Sequence, residues 1–231
     1  MFVFLTNFGF SQTDIPTDFL PKEFHKNRRE ILRSKMPKNS VAVLFSNPIR
    51  NRANDVDYVF HQDPNFYYLT GLREPNSLLV LFSEKQTDEL GNIYDEILYI
   101  QKRDRYAEMW NGKRLGIEGA KNKLGFLTVK KLNDFIVDKI NFKKFDKVFV
   151  QEFKDDYRDL TGTDIFDLVK SFKINIGYDP NLLLLKSKIN VDFLKSSLTS
   201  MREIKTIEEI ALLTKAIRIS SVGQIEVMKA M

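Results

Sequence analysis

Apolar residues form two patterns along this chain: short unbroken runs, and stretches in which they recur every three or four positions. The short runs are bounded by polar or turn-forming residues, which is typical of buried strands. They predict five strands, at 41–45, 78–82, 93–100, 148–150 and 174–177. The periodic stretches predict three helices, at 21–36, 128–140 and 163–172. Because strands alternate with helices, we expect an α/β domain with a mixed β-sheet and helices on both faces.

The boundaries of these elements have local signals. Pro37 lies just past the first predicted helix, where a residue that cannot continue a helix is expected. Thr128 precedes the apolar stripe of the helix at 128–140 and is expected as its N-cap. The polar stretch 49–57 follows neither period, so it predicts a loop.

The pattern changes near residue 200. Thr206 is followed three residues later by Glu209, which is the sequence of a capping box at the start of a helix. A long helical pattern follows, and the chain ends at Met231 without a Gly or Pro to end that helix. We therefore expect one domain at 13–197, and at 198–231 a linker and the first helix of a truncated second domain.

The first residues resemble the end of a secretory signal. An apolar run at 2–5 is followed by small and polar residues, although a basic segment before it is missing. We expect residues 1–12 to be the remnant of a signal peptide, with cleavage near Ser11 or Gln12, and the protein to be secreted or periplasmic. The alternatives are an N-terminus that is loose or docked on the core, and a cytoplasmic protein.

Composition narrows the classes of function. The 231 residues are 43% hydrophobic and include 19 Phe, enough for a sizeable core. The net charge is +5, but Lys and Arg alternate with Asp and Glu over most of the chain, so neither nucleic-acid binding nor membrane insertion is expected. Because the chain has no Cys, disulfides and Cys-ligated metals are excluded.

Residues that carry chemistry are few. The two histidines, His25 and His61, do not form a zinc-binding pair and are expected on a helix surface and in a polar loop. The sequence has no phosphate-binding glycine loop and no nucleophile elbow. The aromatic segment 58–71 is expected mostly to fill the core. Trp110, the only tryptophan, precedes a Gly-containing turn, where it either docks into the core or lines a pocket.

Several motifs in their order and spacing resemble one family. The chain resembles the N-terminal domain of Xaa-Pro aminopeptidases (aminopeptidase P), members of the creatinase and prolidase type of metallopeptidases, from about residue 23 to its end. His61 departs from the pattern, since the family commonly has Arg there. The residues that carry the resemblance are Arg28-Arg29, Phe-Tyr-Tyr-Leu-Thr-Gly at 66–71, Glu74-Pro75, Trp-x-Gly-x-Arg-x-Gly at 110–116, and the segment from Arg202 to Glu209.

The resemblance implies a ribonuclease H-like sheet followed by a pita-bread domain. In that second domain, two Mn²⁺ ions held by two Asp, one His and two Glu hydrolyse the bond before proline in peptides with proline second. None of these ligands is assigned to this chain, so no metal is expected on it and the fragment is expected to be inactive alone.

The resemblance also implies a role for the N-terminal domain. It packs against neighbouring subunits of a homo-oligomer and narrows access to the active site. Trp110 matches the family's tryptophan, which reaches the active site of a neighbouring subunit, and is the main candidate for substrate binding. Asp55 and Arg114 are weaker candidates, as interface or loop-holding charges. Two alternatives stay open: a fragment of a prolidase-type dipeptidase, and a non-catalytic protein that binds or regulates a partner.

Overall fold

The structure is a computed structural model that describes residues 19–138, 140–151, 164–177 and 189–231. The signal remnant predicted at 1–12 lies outside these residues. The chain divides into two compact units, of which the larger is 21–204 and the other contains 205–231. The domain boundary predicted at residue 198 stays a prediction.

Most described strands of the larger unit form one mixed sheet. The strands are β1 Ser40–Phe45, β2 Asn51–Ala53, β3 Val56–Asp57, β4 Leu78–Thr87, β5 Ile93–Ile100, β6 Val129–Lys131, β7 Lys147–Val150 and β8 Ile189–Asn190. The order in the main sheet is β6-β5-β4-β1-β7-β8, in which β1–β4 and β4–β5 are antiparallel pairs and β1–β7, β5–β6 and β7–β8 are parallel pairs. Strands β2 and β3 form a separate hairpin.

The described helices of the larger unit lie before, between and after these strands in the chain. They are α1 Lys22–Lys35, α2 Pro64–Thr70, α3 Arg105–Asn111, α4 Gly116–Leu124, α5 Asp134–Val137, a 3₁₀ turn Phe142–Lys144, α6 Asp164–Ile176 and α7 Asp192–Glu203.

Helices cover both faces of the sheet. Val41 and Val43 of β1 belong to an apolar core that also contains residues of α5, α6 and the 3₁₀ turn. Ala42 and Leu44 are buried too, and because successive strand residues point to opposite faces, they lie on the other side. From that side α1 contacts β4, and α7 contacts β7. The predicted α/β class and mixed sheet are therefore confirmed.

Three predicted elements are wrong. The helix predicted at 128–140 is instead β6 followed by the short α5, and Thr128 is not an N-cap. The sheet edge decides this: Leu98 N donates to Thr128 O at 3.0 Å, and Leu132 N donates to Ile100 O at 2.8 Å. These bonds satisfy the backbone of β5, so tertiary pairing overrides the helical period.

The other two wrong predictions are the strand at 174–177 and the loop at 49–57. Helix α6 continues to Ile176 and ends at Gly177, whose φ of +68° is left-handed and suits a helix end. The stretch 49–57 contains the β2–β3 hairpin, which turns at Asn54 with a φ of +50°. Asn tolerates this left-handed backbone better than most residues, so the polar sequence encodes a turn between strands.

Helix α1 buries more polar atoms than its sequence indicates. His25 is buried, not on the surface as predicted, and its Nδ1 lies 2.9 Å from Tyr68 O. Arg29 is fully buried on the same face. A buried polar group needs partners, and both residues find them on α2, which α1 contacts directly.

The second unit contains helix α8, Ile207–Ala230. Its predicted capping box is confirmed: Thr206 Oγ1 accepts from Glu209 N at 3.3 Å, and Glu209 Oε2 accepts from Thr206 N at 2.9 Å. No residue of α8 is buried. Within the part of the chain that the structure describes, none of the helices combines the length and the apolarity needed to cross a bilayer.

Candidate functional site

Among the described residues of the larger unit, the most exposed aromatic surface lies on helix α3. Trp110 is 75% exposed, and Tyr106 and Met109 beside it are each 74% exposed. We call these three residues the α3 surface. Trp110 lies in the last turn of α3 and does not dock into the core, which was one of the two placements expected for it. Asp104 caps this helix by accepting from Ala107 N at 3.0 Å.

A tight turn joins α3 to α4. Gly112 and Gly116 bound it, with φ values of +81° and +66°. The carboxylate of Glu74 reaches the turn from 41 residues earlier, and its Oε1 accepts from Leu115 N at 2.6 Å. Burial raises the pKa of Glu74, while the bond from Leu115 and the charge of Arg114 oppose that rise. The structure therefore places a largely desolvated carboxylate at the start of α4.

Arg103 fixes the other side of the turn. Its Nη2 donates to Glu108 Oε2 at 2.8 Å, and this two-point contact lowers the pKa of Glu108. The stem of Arg103 lies against Gly116, where an added Cβ would be 2.5 Å from Arg103 Cγ. A side chain at residue 116 is disfavoured for two reasons, because the left-handed backbone angle is strained for most residues other than glycine and because an added Cβ would collide with the Arg103 stem.

A basic cleft opens beside this turn. Arg114, a predicted site residue, lines the cleft, and its Nη1 donates to Lys102 O at 3.4 Å. The surface next to α3 therefore attracts anions and carries no arrangement of a nucleophile with a base. The basic lining residues are Lys102, Arg103, Lys113, Arg114 and Lys123, and the acidic ones are Glu74 and Glu118.

The predicted site residues do not all come together. Trp110 and Arg114 flank the same turn. Asp55 lies at the exposed tip of the β2–β3 hairpin, which is a sheet of its own. A second cleft lies at the base of that hairpin, beside the exposed Tyr58 and Val59. The aromatic segment 58–71 is divided, since Phe66 and Tyr68 are buried as expected and Tyr58 is 60% exposed.

Carboxylates and histidines are the side chains of this chain that could bind a metal ion. Within the described ranges, no group of three or more His, Cys, Asp or Glu side chains is placed to hold a metal ion. These residues do not fit the two-metal centre that the resemblance implies, so no chemical step is derived through a metal.

Sequence reasoning missed Glu74, Arg103 and Glu108 as parts of this site. Glu74 was noted only as part of a motif with Pro75. Its partner Leu115 contributes a backbone N–H, which every residue but proline has, so no sequence signal indicates the contact.

The region that contains this site matches a known family. The family described as aminopeptidase P, N-terminal domain, matches residues 25–144, which is more than half of the 231 residues. The match includes α3, the turn and Glu74.

Curated relatives are peptidases by name. The chain is 31% identical over 215 residues to Xaa-Pro aminopeptidase of Haemophilus influenzae, which covers 91% of this chain and 43% of that protein. It is 38% identical over 92 residues to intermediate cleaving peptidase 55 of Schizosaccharomyces pombe, covering 40% of this chain and 18% of that protein.

A solved structure has the same fold. Aminopeptidase P from E. coli, in complex with the inhibitor Pro-Leu, matches with a TM-score of 0.69 and 26% identity, covering 89% of this chain and 44% of that one. The chain thus spans less than half the length of each of these three relatives.

Proposed function

The chain belongs to the family of aminopeptidase P N-terminal domains, and from this we propose that it is the N-terminal domain of an Xaa-Pro aminopeptidase. Such an enzyme removes the N-terminal residue of peptides that have proline second. Two Mn²⁺ ions supply the hydrolytic chemistry in a catalytic domain, and this chain alone is inactive. The proposal is supported by the resemblance that the sequence motifs carry, because the family match confirms that resemblance at the level of the family.

The role of this domain is to present the α3 surface to bound peptide. The observation that carries this proposal is the exposure of Trp110, at 75%, on a helix with no buried residue. Keeping a large aromatic side chain in water is unfavourable, and such surfaces mark contacts with a partner or ligand. Trp110 covers the substrate with an apolar face at the active site of a neighbouring subunit in a homo-oligomer.

This placement also selects substrates by size. A surface from one subunit that narrows the active site of another admits short or flexible peptides with a free N-terminus and excludes folded proteins. Arg114 and the other cations of the basic cleft attract the acidic end of a peptide towards this entrance. Asp55, on the separate hairpin, contributes to contacts between subunits.

The test is Trp110→Ala in the enzyme that carries this domain, assayed with Xaa-Pro peptides. We expect kcat/KM to fall about tenfold or more, since a truncated aromatic anchor costs at least 1.4 kcal/mol. The matched control is Leu90→Ala, which removes another highly exposed apolar side chain, 88% accessible, from the β4–β5 turn. If kcat/KM is the same in both variants, Trp110 does not contact substrate. Light scattering on the same samples measures the oligomeric state of each variant.

A further inference from the structure

Helix α3 lacks the usual means of fixing a helix in place. Most helices are held by an apolar face packed on the core. None of the seven residues of α3 is buried, and its large apolar side chains face solvent. The direction in which Trp110 points must therefore be set by polar contacts at the two ends of the helix.

Asp104 caps the first turn of α3, and two further residues outside the helix make the other contacts. At the first end, Arg103 holds Glu108 by a two-point ion pair. Past the last end, Glu74 accepts the Leu115 N–H at 2.6 Å. The stem of Arg103 also touches Gly116, so the two contacts meet at the same turn.

Glu74 is itself fixed to the fold. Its backbone oxygen accepts from Gln62 Nε2 at 2.8 Å, and Gln62 Oε1 accepts from the backbone N–H groups of Asn47 and Asp63. Gln101 Nε2 donates to Pro75 O, the next residue, at 3.3 Å. The carboxylate thus connects residues that flank the sheet to the turn between α3 and α4.

We infer that Glu74 and Arg103 are positioning residues that set the direction in which Trp110 is presented. The inference rests on the proposed function of Trp110. In this arrangement neither Glu74 nor Arg103 touches the substrate. Each acts on Trp110 through the turn, Glu74 from its C-terminal side and Arg103 from its N-terminal side.

The first test uses this chain and does not depend on activity. In Glu74→Ala the amides of residues 110–116 should exchange hydrogen about tenfold faster, because the Leu115 N–H loses its acceptor. Glu74→Gln keeps an acceptor oxygen at the same place and should restore most of the protection. Glu118→Ala, which removes an exposed carboxylate from the first turn of α4, is the control and should change nothing.

Two results would contradict the inference that Glu74 positions the turn between α3 and α4. One is that the amides of this turn exchange hydrogen in Glu74→Ala at the same rate as in the wild type. The other is faster exchange in β4 by the same factor, which would mean that Glu74 stabilises the whole domain and not the turn. The single tryptophan gives a second readout, since its fluorescence should change in Glu74→Ala and return in Glu74→Gln.

The second test is a double-mutant cycle on kcat/KM in the enzyme. If Glu74 and Arg103 act only through Trp110, then Glu74→Ala and Arg103→Gln should lower kcat/KM in the wild-type background and have no effect in Trp110→Ala. Additive losses would overturn the inference while leaving the function of Trp110 standing. An unaffected Trp110→Ala enzyme would overturn the proposed function, and with it the role of both residues, whatever the exchange data show.

Discussion

Arg29 and Glu96 form a two-point ion pair between helix α1 and strand β5. Arg29 Nε donates to Glu96 Oε2 at 2.8 Å, and Nη2 donates to Oε1 at 3.0 Å. The guanidinium also donates to Leu69 O at 2.8 Å and lies 3.8 Å from the centroid of the Phe126 ring. One side chain therefore joins α1, the sheet, the end of α2 and the segment after α4.

Replacing Arg29 with Met should destabilise the domain by about 3 kcal/mol. The cost arises because Glu96 and Leu69 O lose their partner in the interior, although Arg33 still pairs with Glu96. Lys26→Met on the same helix is the control, since its pair with Glu30 is exposed and should contribute less than about 1 kcal/mol. Urea unfolding followed by far-UV circular dichroism measures both. Equal midpoints in the two variants would contradict the prediction.

Gly116→Ala should cost more than Gly177→Ala, although both glycines have a left-handed φ, of +66° and +68°. The backbone penalty of about 1–2 kcal/mol is common to both. Among the residues that the structure describes, none lies within 4 Å of a Cβ added at Gly177, whereas at Gly116 the stem of Arg103 must move and its pair with Glu108 is strained. We expect an additional loss of about 1 kcal/mol in urea unfolding. If Gly177→Ala lost more stability than Gly116→Ala, the Arg103 stem would move at little cost to make room for a side chain at residue 116.

The stability difference between Glu74→Gln and the wild type should depend on pH. Burial raises the pKa of Glu74 in the folded state, so folding favours its protonated form. The cost of burying the charge is fully present above the folded pKa and disappears as pH falls below the unfolded value. Wild-type stability should therefore improve relative to Glu74→Gln on acidification from pH 7 to about pH 4. Urea midpoints of both proteins across this range measure it, and a constant difference would contradict the direction of the shift.

Thr206→Ala should fray the start of α8, because the Glu209 N–H loses its acceptor, at a cost of about 1 kcal/mol. Thr214→Ala is the control, since it replaces a β-branched residue inside the same helix and should raise helix stability slightly. Amide exchange at residues 207–210 distinguishes the two. The capping box would have no role here if both substitutions left that exchange unchanged.

Elements with local causes could be predicted from the sequence alone. The strands at 41–45, 78–82, 93–100 and 148–150, the helix at 21–36 and the capping box of α8 were all predictable from apolar runs and helix-end residues. Such signals involve residues within a few positions of one another, so they can be identified without knowing what the chain packs against. The motif at 110–116 likewise indicated where the candidate site lies.

Contacts between residues far apart in the chain depend on the fold and could not be predicted from local patterns. The stretch 128–140 has a helical period, yet the edge of β5 offers its backbone a row of hydrogen bonds, and β6 forms there. Arg29 and Glu96 are 67 positions apart, and Glu74 and Leu115 are 41 apart. The sequence does not show whether the charge of a residue is solvated by water or paired with a buried partner. Its role is set by desolvation and by the groups that the fold brings to it, which a local pattern does not contain.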